Sequence, residues 1–84
     1  MSVREQIVSE MRTIAKEQGR QLAQLRDDLA LLECGFDSLC FAILVVRLED
    51  SFGVDPLGEV EVEDVPKTFG EFVALYDNAL AAVA

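Results

Sequence analysis

Val3, Ile7, Met11 and Ile14 recur at helical spacing with polar residues between them. They predict an amphipathic helix, with Ser2 as its N-cap, Glu5 completing a capping box and Gly19 as its stop. The apolar rhythm goes on through Leu22, Leu25, Leu29 and Leu32, and both a resumed and a continuous helix fit it. Residues 33–38, ECGFDS, break the pattern. Gly35 marks a turn, and either Asp37 or Ser38 can cap the helix that follows. That helix is expected from Leu39 to about Phe52 and is apolar on nearly every side in its first half. The series Leu39, Ile43, Val46 and the series Phe41, Val45, Leu48, Phe52 argue for helix over strand. Gly53 ends it as a left-handed residue, and Val54-Asp55-Pro56 leads away in extended form. Residues 57–67 form a linker in which Val60, Val62 and Val65 alternate with Glu59, Glu61, Glu63 and Asp64. A short strand and a one-turn helix both suit it. Thr68 and Glu71 form a capping box for a last helix, whose core stripe is Phe69, Phe72, Val73, Tyr76 and Leu80. The tail, AAVA, is expected to be frayed or disordered. The sum is a small all-α bundle of three main helices with room for one short one.

The chain has 84 residues, of which 51% are hydrophobic and 27% charged, so a single folded domain over 1–84 is expected. Its net charge is -9 and is unevenly spread. Residues 1–26 carry a small positive excess, whereas residues 27–84 carry 13 acids against only Arg47 and Lys67. Nucleic acid and anionic membrane are therefore not expected partners, because their phosphates would be repelled. A partner with a basic patch suits the acidic part better. The longest uncharged apolar run starts at Leu39 and stops at Arg47, too short to span a bilayer. No signal-peptide pattern opens the chain. Together with two cysteines too few for a disulfide scaffold, this points to a cytoplasmic protein without a membrane span. A monomer is expected.

The catalytic inventory is sparse. The chain has no histidine, which excludes a Ser-His or Cys-His pair and a His-ligated metal within it. Asp27 with Asp28 and Glu49 with Asp50 are neighbours in sequence, and neighbours on a helix do not face each other. Cys34 and Cys40 match no familiar redox spacing, and Cys40 reads as a small core residue. What remains is Gly35-Phe36-Asp37-Ser38-Leu39. Alone, a serine before an apolar helix reads as a helix cap. Its position at the start of the second long helix of an acidic bundle, with Phe52-Gly53-Val54 further on, gives it more weight.

With GFDSL at 35–39, RLEDSFGVD at 47–55 and TFGEFVALYDNAL at 68–80, the sequence resembles the acyl and peptidyl carrier proteins from about Asp28 to Leu80. The first helix matches only in length and pattern. The resemblance implies a four-helix bundle with three long helices, one short helix and a long first loop. It also implies a 4′-phosphopantetheine arm on Ser38, attached from coenzyme A by a phosphopantetheinyl transferase. Acyl or aminoacyl groups would travel on that arm as thioesters, so the carrier would not itself be an enzyme. A phosphodiester on Ser38 would sit at a helix N-terminus, where free N–H groups and the helix dipole favour an anion. Asp37 would lie beside that phosphate and repel it, so its expected role is capping or docking of the modifying enzyme.

A helix so apolar cannot bury every side in a thin bundle. Surface from Cys40 to Leu44, including Phe41 and Ile43, is therefore expected to be exposed as a hydrophobic docking patch beside the arm. Gly35, Phe36, Asp37 and Leu39 complete the motif, and Arg47, Glu49 and Asp50 complete the docking surface for ligases, synthases or transferases with basic patches. Carriers of fatty-acid synthesis usually have acids soon after the motif. Here Cys40 to Val46 is wholly apolar, only Glu49 and Asp50 remain, and Arg47 interrupts the charge. That favours a specialised free-standing carrier of a biosynthetic pathway. Two other readings compete: an unmodified acidic helical interaction module, and a small enzyme with Cys34 or Cys40 as nucleophile.

Overall fold

A computed structural model describes residues 2–58 and 60–83. Three α-helices form among them: α1 (Val3–Gln18), α2 (Ser38–Phe52) and α3 (Phe69–Val83). No strand is present among the described residues, and α1 packs against both α2 and α3. The result is a small helical bundle. No helix is long and apolar enough to cross a membrane among the described residues.

Ser2 caps α1 as expected, its Oγ accepting from the Glu5 N–H at 3.1 Å. The return bond of the capping box is absent among the described residues. Gly19, at φ 67°, ends the helix in a left-handed turn. The Arg20 N–H then reaches back to the Ala15 carbonyl at 2.8 Å, the 6→1 bond of a Schellman motif. This turn is why the leucine rhythm beyond it does not become helix. Residues 20–30 cross the bundle as an irregular segment, with Leu22, Leu25 and Leu29 half-buried against the core. Their backbone is bonded elsewhere. The Ala23 N–H donates to the Cys34 carbonyl at 2.9 Å. The first N–H groups of α3, on Phe69 and Gly70, donate to the carbonyls of Leu29 (2.8 Å) and Asp27 (3.0 Å). The long first connection thus supplies the acceptors that the start of α3 lacks.

The Thr68–Glu71 capping box is complete: the Glu71 N–H donates to Thr68 Oγ1 at 3.2 Å, and the Thr68 N–H to Glu71 Oε2 at 3.0 Å. The Lys67 N–H first, and then the Thr68 N–H, hold the Glu71 carboxyl below its ordinary pKa. The helix runs on through Ala81 to Val83, so these tail residues are helical rather than frayed. Ala84, the last residue of that tail, and Glu59 of the linker lie outside the described residues. Residues 56–64 hold two single-turn 3-10 helices, Pro56–Gly58 and Val62–Asp64, where one short helix was expected. Valines alternating with acids leave no stripe for a longer helix to bury. Asp55 instead accepts from the Gly58 N–H at 3.3 Å and closes the first of these turns.

The core joins Ile7, Met11 and Ile14 of α1 to Leu44 and Leu48 of α2 and to Phe69, Phe72, Val73 and Tyr76 of α3. Leu31, Cys34 and Phe36 enter it from the first connection and the motif. Each such side chain contributes roughly 1.5–3 kcal/mol by leaving water. Tyr76 lies between Phe52 and Phe72, at ring-centroid distances of 5.9 and 5.2 Å, and burial pushes its phenol up to about 12.

Candidate functional site

The motif 35–39 sits where the first connection crosses the start of α2. Gly35 has φ 105°, a conformation that side-chain-bearing residues rarely adopt. Its space is closed as well: a Cβ there would stand 2.2 Å from the Gln21 backbone oxygen. Two further ties join this crossing. The Ala23 N–H bonds the Cys34 carbonyl, and the Arg20 guanidinium pairs with the Asp37 carboxylate. Residues 20–23 therefore form a strap over residues 34–37. Phe36 is buried below it and meets Phe41 edge to face at 5.4 Å.

Of the two candidate caps, Asp37 takes the role. Its Oδ1 accepts from the Cys40 N–H at 2.9 Å, and its backbone is extended. Ser38 becomes the first residue of α2 and is exposed. Among the described residues its hydroxyl makes no hydrogen bond. The Phe41 N–H is taken by the Asp37 carbonyl, while the N–H groups of Ser38 and Leu39 have no acceptor among the described residues. An exposed hydroxyl and two free N–H donors thus lie together at the positive end of a helix. They suit a phosphate ester, whose oxygens need donors.

The Cys40 N–H holds the Asp37 carboxyl below its ordinary pKa, with the Cys40 side chain adding to this and Arg20 making a smaller contribution. A depressed carboxyl stabilises the fold above its unfolded pKa of about 4, and that stability is lost as pH falls through the folded value. Asp37→Asn keeps a capping oxygen but cannot titrate. Its urea midpoint is expected to fall less than that of the wild type as the pH is lowered from about 6 to about 2, and parallel losses would contradict this.

Docking residues are placed differently from the expectation. Cys40 is 1% exposed and Leu44 0%, so neither belongs to an exposed patch. Spacing of four puts Cys40, Leu44 and Leu48 on the inward face of α2. Phe41 and Ile43 are half-buried beside them. Leu39, Ala42 and Val46 carry the exposed apolar surface instead. Glu49 and Asp50 are exposed at the far end of the helix. Arg47 is half-buried and bonded to Glu17 of α1 at 2.6 Å, so it ties two helices together. An open apolar groove of about 590 Å³ runs between Leu31, Leu32, Phe41, Val45, Leu57 and Phe72. Leu32 stands on its lip, 92% exposed.

Burial pushes the Cys34 thiol up, and Cys40 is equally enclosed, so neither sulfur is placed as an exposed nucleophile. No group of three or more His, Cys, Asp or Glu residues is arranged to hold a metal among the described residues. Arg20 and Gln21 were not among the sequence candidates, and only the Gly19 stop pointed toward a turn near them. Compared with protein families, curated proteins and solved structures, the chain matches none of them.

Proposed function

We propose that the protein is a carrier that holds acyl or aminoacyl groups as thioesters on a 4′-phosphopantetheine arm attached to Ser38. The observation that supports this most is the division of labour at the start of α2: Asp37 caps the helix, which leaves the exposed Ser38 hydroxyl unengaged. On this reading Ser38 Oγ forms a bond to the β-phosphorus of coenzyme A, and the bond to the adenosine bisphosphate half breaks. The serine proton leaves to a base of the phosphopantetheinyl transferase. The free N–H groups of Ser38 and Leu39 then face the phosphodiester. The arm supplies a thiol, and its tether raises the effective concentration of cargo at each partner enzyme. Such a carrier needs no acid, base or metal of its own.

The same proposal assigns residues 56–64, with their two short turns, the place of the short helix in a four-helix carrier fold. It places the protein in the cytoplasm with a transferase and a loading ligase or synthase as partners. Glu49 and Asp50 meet basic patches on those partners, and the apolar contacts come from Leu39, Ala42 and Val46. The test is intact mass after incubation with coenzyme A, magnesium and a broad-specificity phosphopantetheinyl transferase. The wild type is expected to gain one arm and Ser38→Ala none. An unchanged wild-type mass with several transferases would refute the proposal.

The groove beside Leu32 favours one second reading, an unmodified interaction module. In that case Ser38→Ala leaves function intact.

A further inference from the structure

We infer that Arg20 is a charge-compensating residue of the attachment site, offsetting the negative charge that Asp37 and an anion on Ser38 together place at the start of α2. This inference rests on the reading of Ser38 as the attachment site. The Schellman turn at Gly19 carries Arg20 out of α1 and across to the motif, where its guanidinium pairs with Asp37 Oδ2. Asp37 Oδ1 is already committed to the Cys40 N–H. Arg20 therefore engages the outer oxygen, and its remaining N–H donors have no partner among the described residues. From Gly35 to Val46 the chain carries no cation. The next one, Arg47, is bonded to Glu17. Arg20 is thus the positive charge that this end of α2 holds by direct contact.

An unmodified Ser38 leaves one negative charge beside Arg20. A phosphodiester on Ser38 adds a second on the adjoining residue. If Arg20 were only one half of an exposed ion pair, its removal would cost little and would cost the same in both states. If it offsets both charges, its removal costs more once residue 38 is charged, and the excess is screened by salt.

A thermodynamic cycle separates the two cases. Urea midpoints are measured for the wild type and Arg20→Gln, each with and without the arm. The cycle is repeated with Ser38→Glu in place of the arm, which puts a negative charge at residue 38 without any transferase. Arg20→Gln is expected to lower the midpoint at least about twice as far when residue 38 is charged. The excess should vanish in about 1 M NaCl. Arg20→Lys should restore most of the loss, since it keeps the charge. Equal falls whether or not residue 38 is charged would overturn the role of Arg20. Failure of the wild type to take the arm would instead count against the attachment site, and the Ser38→Glu cycle would still decide on Arg20.

Discussion

Gly35→Ala is expected to destabilise the protein by about 3–5 kcal/mol, the sum of backbone strain at a positive φ and a steric clash. Gly35 has φ 105°, far from the conformations open to alanine. The added methyl would stand 2.2 Å from the Gln21 backbone oxygen. Relief cannot come from a flexible side chain, because the atom in the way is backbone. Either the strap at 20–23 must lift or the motif must move. Lifting the strap breaks the bond from the Ala23 N–H to the Cys34 carbonyl and strains the pair of Arg20 with Asp37. A domain of this size holds about 5–15 kcal/mol in all, so the loss is a large share of its stability. Urea unfolding of purified Gly35→Ala against wild type reads it directly. A loss below about 1 kcal/mol would mean that the crossing of strap and motif is looser than described.

Leu44→Ala is the second large effect, expected at about 3–4 kcal/mol. Leu44 is fully buried on the inward face of α2, between Cys40 and Leu48. Removing its branched end leaves a cavity in the core that α2 shares with α1 and α3, which packed helices close only in part. Leu39→Ala makes the control. Leu39 is 59% exposed, and its truncation is expected to change stability by less than about 0.5 kcal/mol. For an 84-residue chain the Leu44 loss corresponds to a fall in Tm of more than about 10 °C. Similar small losses for both leucines would contradict the orientation of α2.

That orientation is where sequence reading and structure part most clearly. The stripe of α1 is legible because mostly polar residues separate Ile7, Met11 and Ile14, so the pattern has a phase as well as a period. From Leu39 to Val46 every residue is apolar, and a uniform run specifies helix without specifying which face turns inward. Leu44, expected in the exposed patch, is core, and so is Cys40, for which the sequence supports both a core place and a place in the patch. Gly19, Gly53 and the Thr68–Glu71 box were readable because each acts through its nearest neighbours in the chain. The leucines from 22 to 32 misled for the opposite reason. Their spacing suits a helix, but the Schellman turn and the acceptors needed by α3 hold residues 20–30 in an irregular path, and Leu32 falls in the single 3-10 turn Leu31–Glu33. Within the site, the motif itself was visible in the sequence. The choice between Asp37 and Ser38 as cap was not, and neither was Arg20, whose contact spans the whole first part of the connection.

The most direct test of the carrier account uses the protein as its own cells make it. The protein is isolated under mild, non-reducing conditions and digested with trypsin. The peptide spanning residues 27–47, cut after Arg26 and Arg47, contains Ser38 as one of its residues. Tandem mass spectrometry is then applied to that peptide. The account predicts a phosphopantetheine ester on Ser38, with or without a thioester-bound cargo. A peptide 27–47 found wholly unmodified, in protein that is otherwise intact and folded, would contradict it.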